Sequence, residues 1–283
     1  MFIKKIFFFL YKKISNFEYE KKKFNKMNKK KYENIFNNLK KKKEEYQLIK
    51  THKNNVFLIY LPKKKIFRKY SVEKNGIKKI EAERNALKWY YKKLKKKNNI
   101  VNEYYFNSNL IAIDLKIIKG KKIKSWESLK KNFKFLIVIL NHYKKIFERK
   151  DKIFIHGDLT LDNVIFFKKK VARLIDWEFF GAKKKLWGYD IAYLFLSSVT
   201  IPYISQKKIS KKDIYLFKKL WSILCKLKIN QKILKDPFNF FEKEINNDKI
   251  LNQALNISKK KFFPLITPKK IKKEITKICN QVL

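Results

Sequence analysis

"FIHGDLTLDNVIF", residues 154–166, governs how the rest of the chain is read. The sequence has 283 residues but only 5 glycines and 3 histidines, and here one of each stands side by side as His156 and Gly157. Asp158, Asp162 and Asn163 follow at once, a concentration of varied polar groups in a chain whose polar residues are mostly lysine. The spacing is ordered: Asn163 lies five residues after Asp158, and "LIDWE" places Asp176 thirteen residues after Asn163. Between them, Val164–Phe167 and Val171–Ile175 are short apolar, β-branched runs, the pattern of a tight strand pair.

Outside this stretch, composition sets limits. With 45% hydrophobic and 16% aromatic residues, a chain this long can bury one large core or two lobes, so a disordered tail is excluded. A net charge of +48 would ordinarily point to nucleic acid or an anionic membrane. Of the 72 basic residues, however, only Arg68, Arg84, Arg149 and Arg173 are arginine, the residue that reads bases and phosphates with a planar fork. Lysine is accompanied by abundant Asn, Ile, Phe and Tyr while Gly, Ala and Pro are scarce, which is how AT-rich codons bias any protein. No specific nucleic-acid partner is expected.

Cys225 and Cys279 stand far apart without a CxxC partner, so neither a zinc site nor a disulfide framework is indicated. No apolar run approaches the length that spans a bilayer, and a cytoplasmic location is expected. Residues 1–14, "MFIKKIFFFLYKKI", can place Phe2, Ile3, Ile6, Phe7, Leu10 and Ile14 on one helical face and lysines on the other. Two readings stay open for this segment: packing on its own domain, or weak peripheral association with the anionic inner membrane surface. Tyr32, Ile35, Phe36 and Leu39 then continue a basic helical extension over residues 1–49.

From residue 50 the pattern alternates. "NVFLIYL" and "KIFRKYS", separated by Pro62 and lysines, read as a hairpin; a turn at Asn75-Gly76 leads into a helix with Ile77, Ile80, Ala86, Leu87 and Leu94 on one side. "NEYYFN" and "LIAIDLKII" read as two more strands ending near Gly120. Helices follow, the first with Trp126, Leu129, Phe133, Leu136 and Ile137 as its buried stripe, and later ones from Tyr189 to the C-terminus. The expected fold is α+β: a sheet-and-helix portion over residues 50–119 and a larger helical portion over residues 120–283.

The residue types between 156 and 190 suit phosphoryl transfer. That reaction asks little covalent chemistry of a protein, but an acceptor hydroxyl must be held in line and the phosphate charge must be met by metal ions. The order Asp158, Asn163, Asp176 matches the H-R-D-x-x-x-x-N logic of protein kinases with a later metal-holding aspartate. Asp158 would orient the acceptor hydroxyl and take its proton, Asn163 and Asp176 would hold Mg²⁺ through oxygen, and His156 would shape the loop. Taken singly, each has a plainer role as a core histidine, turn former or helix cap. Their joint spacing favours the chemical one.

"IHGDLTLDNVIF" and "LIDWEFFG" resemble the aminoglycoside phosphotransferase and choline kinase superfamily, small-molecule kinases of bilobal, protein-kinase-like fold. "DWEFFGAKKKLWGYDIAYLF" is most similar to the choline and ethanolamine kinase branch. The resemblance covers residues 50 to at least 200 and implies transfer of the γ-phosphate of ATP, with Mg²⁺, to a hydroxyl of an amino alcohol, a sugar or an aminoglycoside-like acceptor. It makes Asp190 a brace for the catalytic loop around Gly157 and Gly120 the hinge beside the adenine, bordered by Leu115 and Ile117. It also asks for a basic strand residue at the nucleotide phosphates, for which Arg68 fits the family pattern somewhat better and Lys69, on the opposite face, is the rival. The spacing E-x-x-x-L to Leu87 selects Glu83 over Glu81 as its helix partner.

Two departures stand out: "THKNNVF" lacks a glycine-rich phosphate cover, and "IAYLFLSS" after Asp190 carries no carboxylate where choline kinases have one. Trp177, Phe179, Phe180, Trp187, Tyr189 and Trp221 are either an aromatic box for a quaternary ammonium or ordinary core. The alternatives to an enzyme are a catalytically silent binding protein on the same fold and a charge-driven membrane-surface protein.

Overall fold

The computed structural model describes residues 47–51, 56–71, 73–168, 170–181, 183–204, 208–247 and 267–283. Residues 1–14, the cluster Tyr32–Leu39 and most of "THKNNVF" lie outside the described residues. Leu48–Ile59 and Ile66–Leu283 form one compact unit, and the site below lies wholly within it. Tyr60–Lys65 belong to a second unit and close a turn through a 3.1 Å bond from Lys65 N–H to the Pro62 carbonyl.

Strands β1 (Gln47–Thr51), β2 (Phe57–Leu61) and β3 (Ile66–Tyr70) precede helix α1 (Lys74–Lys93); β4 (Ile100–Phe106) and β5 (Asn109–Lys116) follow it. They make a five-stranded sheet in the order β1-β2-β3-β5-β4. Two-residue hairpins prefer two consecutive positive φ angles, and the β4–β5 turn supplies them with Asn107 (46°) and Ser108 (61°) rather than glycine. In the antiparallel β3–β5 pair, Arg68 stands opposite Asp114 and Lys69 opposite Ile113. Because successive side chains alternate faces, the two basic residues diverge. Helix α1 covers the Lys69 face, where Ile80 joins Val56, Leu110 and Ile113 in a small apolar cluster.

The helical part begins after β6 (Lys121–Lys122) with α2 (Leu129–Ile146), then β7 (Lys152–Ile153), the hairpin β8 (Val164–Phe167) and β9 (Lys170–Leu174), and β10 (Lys185–Leu186). Helices α3 (Tyr189–Thr200), α4 (Lys211–Lys226), α5 (Gln231–Lys235), α6 (Pro237–Asn246) and α7 (Lys269–Val282) complete it. Every residue of α3 is buried, so its sequence is apolar all round, apart from polar groups that find internal partners. The buried carboxylate of Asp213 on α4 accepts the first N–H groups of α2, Leu129 and Lys130, each at 3.0 Å, and so satisfies an otherwise open helix end. A mixed α+β chain with a β-rich N-terminal sheet and a helical C-terminal part is what the sequence leads one to expect.

Two local expectations give way. Helix α1 starts at Lys74, so Asn75-Gly76 is its first turn and not a separate reversal. Trp126 precedes α2 and is 58% exposed, so the buried stripe begins only at Leu129.

Helix α1 is also tied at its far end. Tyr90 Oη accepts the Leu174 N–H of β9 at 3.2 Å and meets His142 Nε2 of α2 at 2.8 Å. Burial, helped by the charges of Lys145, Arg173 and Lys96, pushes His142 down to about 4. The imidazole is therefore neutral at pH 7 and shares a hydrogen bond with the tyrosine hydroxyl through Nε2.

Gly120, with φ of +154°, shows how tightly the segment after β5 lies on the hairpin. A Cβ there would stand 2.4 Å from the Phe166 carbonyl oxygen and 2.6 Å from Ile165 Cγ2. Gly181 has φ of +75° but open space around it. We expect Gly120→Ala to lower the melting temperature clearly more than Gly181→Ala, whose cost is limited to the backbone term of about 1–2 kcal/mol. Equal losses in thermal unfolding would contradict this.

Candidate active site

The loop that follows β7 hangs from α3. Asp190, fully buried in the first turn of that helix, accepts His156 N–H at 2.8 Å and Gly157 N–H at 3.0 Å through its two carboxylate oxygens. Burial pushes its pKa up to about 7, against the pull of those two donors. Gly157 has φ of +87°, and a Cβ on it would lie 2.6 Å from Phe179 Cβ. Only glycine fits between the helix and the segment after Asp176.

Asp158 leaves this turn beside Asn163. The Asn163 amide nitrogen donates to the Asp158 carbonyl at 2.8 Å and to its Oδ2 at 3.2 Å, and Tyr193 Oη of α3 approaches Oδ1 at 3.5 Å. Burial and the negative charges of Asp176 and Glu178 push Asp158 up to about 8. With its nitrogen committed to Asp158, Asn163 keeps its amide oxygen as the acceptor.

Asp176 is brought back by the hairpin. Ile175 N–H donates to the Asn163 carbonyl at 3.0 Å, which sets the ends of β8 and β9 side by side. His156, buried under Trp177 with ring centroids 4.5 Å apart, meets the Ile175 carbonyl through Nε2 at 2.8 Å. Burial drives the imidazole down to about 4, so it is neutral, with Nε2–H donating and the buried Nδ1 unpartnered among the described residues. The ring holds the backbone immediately before Asp176. Asp176 itself has φ of 68°, a left-handed conformation costly for a side-chain-bearing residue.

Lys69 closes the group. Its ammonium lies 2.5 Å from Glu83 Oε2 on α1 and 2.8 Å from Asp176 Oδ1. Burial works to lower the lysine pKa, but the two carboxylates outweigh it and hold the ammonium above the usual lysine range. Arg68 points to the other face, where it binds Asp114 through two bonds of 2.7 and 2.9 Å and donates to Tyr104 Oη at 2.6 Å. The sequence preference for Arg68 over Lys69 as the residue of this cluster is therefore corrected: strand alternation sends Arg68 to a cross-strand ion pair and Lys69 under α1.

Lys69, Glu83, His156, Gly157, Asp158, Asn163, Asp176 and Asp190 thus gather around one loop. Leu115 packs at the border of the two apolar clusters, while Ile117 is exposed just beyond β5. Neither joins the polar group. Trp177, Trp187 and Trp221 are buried and donate their indole N–H to the carbonyls of Leu174, Phe147 and Leu234, so these rings are core and not an open aromatic box. Sequence reasoning passed over Lys79 of α1, which binds Glu178 at 2.7 Å, and Tyr193. The only signal for Lys79 was its place one helical turn before Glu83.

Asn163 and Asp176 offer the hard oxygen donors that Mg²⁺ takes. Among the described residues no group of three or more His, Cys, Asp or Glu could hold a metal ion by itself.

The raised pKa of Asp158 has a measurable sign. Between the ordinary aspartate range near 4 and about 8, the folded protein keeps a proton that the unfolded chain has lost, so stability falls as pH rises through that window. In metal-free buffer, Asp158→Asn should raise the melting temperature, and by more at pH 8 than at pH 5.5. The same gain at both values would refute the proton uptake.

No family model matches the chain, and no curated protein matches it in sequence. Among solved structures, an ethanolamine kinase of Plasmodium vivax is similar over 85% of this chain and 84% of its own, at 14% identity and a TM-score of 0.42. A choline kinase of Streptococcus pneumoniae is similar over 80% and 97%, at 17% identity and a TM-score of 0.39. Amicoumacin kinase, solved in complex with AMP-PNP and Ca²⁺, is similar over 84% and 87%, at 9% identity and a TM-score of 0.48.

Proposed function

We propose that this protein is a phosphotransferase that moves the γ-phosphate of ATP to a hydroxyl of a small molecule such as an amino alcohol, a sugar or an aminoglycoside-like compound. The observation that carries the reading is the partly buried ionic group Glu83–Lys69–Asp176, contributed by three separate elements next to Asp158 and Asn163. Burying such charges costs about as much as their attraction returns, so apolar residues would serve folding at least as well. A site that must grip polyphosphate needs them.

In this reading, Lys69 binds phosphate oxygens of the nucleotide, and Glu83 keeps its ammonium from collapsing onto Asp176 alone. Asp158 accepts a hydrogen bond from the acceptor hydroxyl, aligns its oxygen with the phosphorus, and receives its proton late in the transfer. Asp190 fixes the backbone just before Asp158, His156 fixes the backbone just before Asp176, and neither touches substrate. Asn163 and Asp176 would hold magnesium, which when bound neutralises phosphate charge and draws the Asp158 carboxyl back toward its ionised form.

An ATP-consumption screen over amino alcohols, sugars and aminoglycosides tests the proposal. Asp158→Ala and Asp176→Ala should each lower turnover by about 10²-fold or more; activity surviving in both variants would sink it. Lys69→Met should abolish most turnover and raise KM for ATP, whereas Arg68→Met should leave turnover near wild type and lower thermal stability by about 1–3 kcal/mol by stranding buried Asp114. The reverse pattern would return Arg68 to the site.

A further inference from the structure

Helix α1 reaches the segment that carries Asp176 twice. Glu83 does so through Lys69, and Lys79, one turn earlier on the same face, does so directly, with Nζ 2.7 Å from Glu178 Oε2. The Lys79 ammonium also lies 5.0 Å from the centroid of the Phe179 ring. Both Lys79 and Glu83 are buried, so their contacts are not those of a loosely screened surface helix.

The segment has reason to need such a restraint. Asp176 is held at φ of 68°, Gly181 at 75°, and the turn between them is closed by a bond of 3.0 Å from Phe180 N–H to the Trp177 carbonyl. A strained backbone persists only when its surroundings fix it. Movement here would also travel inward, because Phe179 Cβ sits where a side chain on Gly157 would otherwise be, one residue from Asp158.

We propose that Lys79 is a positioning residue: by holding Glu178 and lying over Phe179, it fixes from α1 both the backbone that bears Asp176 and the ring that packs on Gly157. Its importance for turnover rests on the phosphotransfer reading; its effect on the segment does not. In a merely stabilising role, Lys79 would affect the chain as a whole and would be indifferent to the chemistry of its partner.

Hydrogen exchange of the full chain in metal-free buffer separates the two. Lys79→Met should speed amide exchange across residues 176–181 by about 10-fold, the scale of a lost charge-assisted hydrogen bond, and leave β8 unchanged. Lys79→Arg should restore protection, Glu178→Gln should behave like Lys79→Met, and the double variant should be no worse than either. Unchanged exchange in Lys79→Met, or equal acceleration throughout the chain in the Met and Arg variants, overturns the proposal. Where the wild type phosphorylates an acceptor, Lys79→Met should also raise the Mg²⁺ concentration for half-maximal rate by about 10-fold with rescue by arginine; no shift counts against it. A wild type inactive on every acceptor overturns the phosphotransfer reading instead, and the exchange result still decides the role of Lys79.

Discussion

The carboxylate of Asp190, sunk in the first turn of a wholly buried helix, accepts two consecutive backbone N–H groups from the loop that bears Asp158. A buried charge of this kind is costly unless its lone pairs are filled, and the cheapest way to fill both is to draw the chain into a turn around it. That requirement dictates the positive φ of Gly157, which in turn sends Asp158 away from the core and toward Asn163. The hairpin β8–β9 then starts at Val164, just after Asn163, and its return strand ends at Leu174, two residues before Asp176. One hydrogen-bonded carboxylate therefore fixes the geometry of three other polar residues.

The second constraint is charge balance. Asp158, Asp176, Glu178 and Glu83 crowd together, and the ammonium groups of Lys69 and Lys79 meet all but Asp158 directly. Burial and the negative charges of Asp176 and Glu178 push Asp158 up, while Asp176 and Glu83 hold the Lys69 ammonium above its usual range. Such an arrangement sacrifices stability locally, and the wholly buried α3 and the aromatic stack of Tyr143, Phe147 and Trp177 offset it from behind.

Much of this was legible in the sequence because it is local. The spacing from His156 to Asn163, the strand pair that follows, and Glu83 at four residues from Leu87 all depend on neighbours a turn or a hairpin apart. What stayed hidden depends on register and on which face is covered. Alternation alone places Arg68 and Lys69 on opposite sides of β3 but says nothing of α1 lying over Lys69, nor of Asp114 standing opposite Arg68. Glu178 finds Lys79 across 99 residues of sequence. Turns were obscured for a compositional reason: with glycine scarce, Lys65, Lys95, Asn107, Ser108, Lys168 and Lys228 take the positive φ angles that glycine usually marks. Trp126 misled because an apolar residue in helical spacing was counted before the helix had begun.

The bond from Leu174 N–H to Tyr90 also sets what kind of motion α1 can make. A sheet-covering helix fixed only by its ion pairs could slide or swing out as a rigid rod. Here its C-terminal end is pinned to the very strand that leads to Asp176, by a tyrosine that also hydrogen-bonds a neutral histidine of α2. Displacement of the end that carries Lys79 and Glu83 is then a lever movement about Tyr90, in which the lysine travels farther than the glutamate and the backbone near Leu174 stays still.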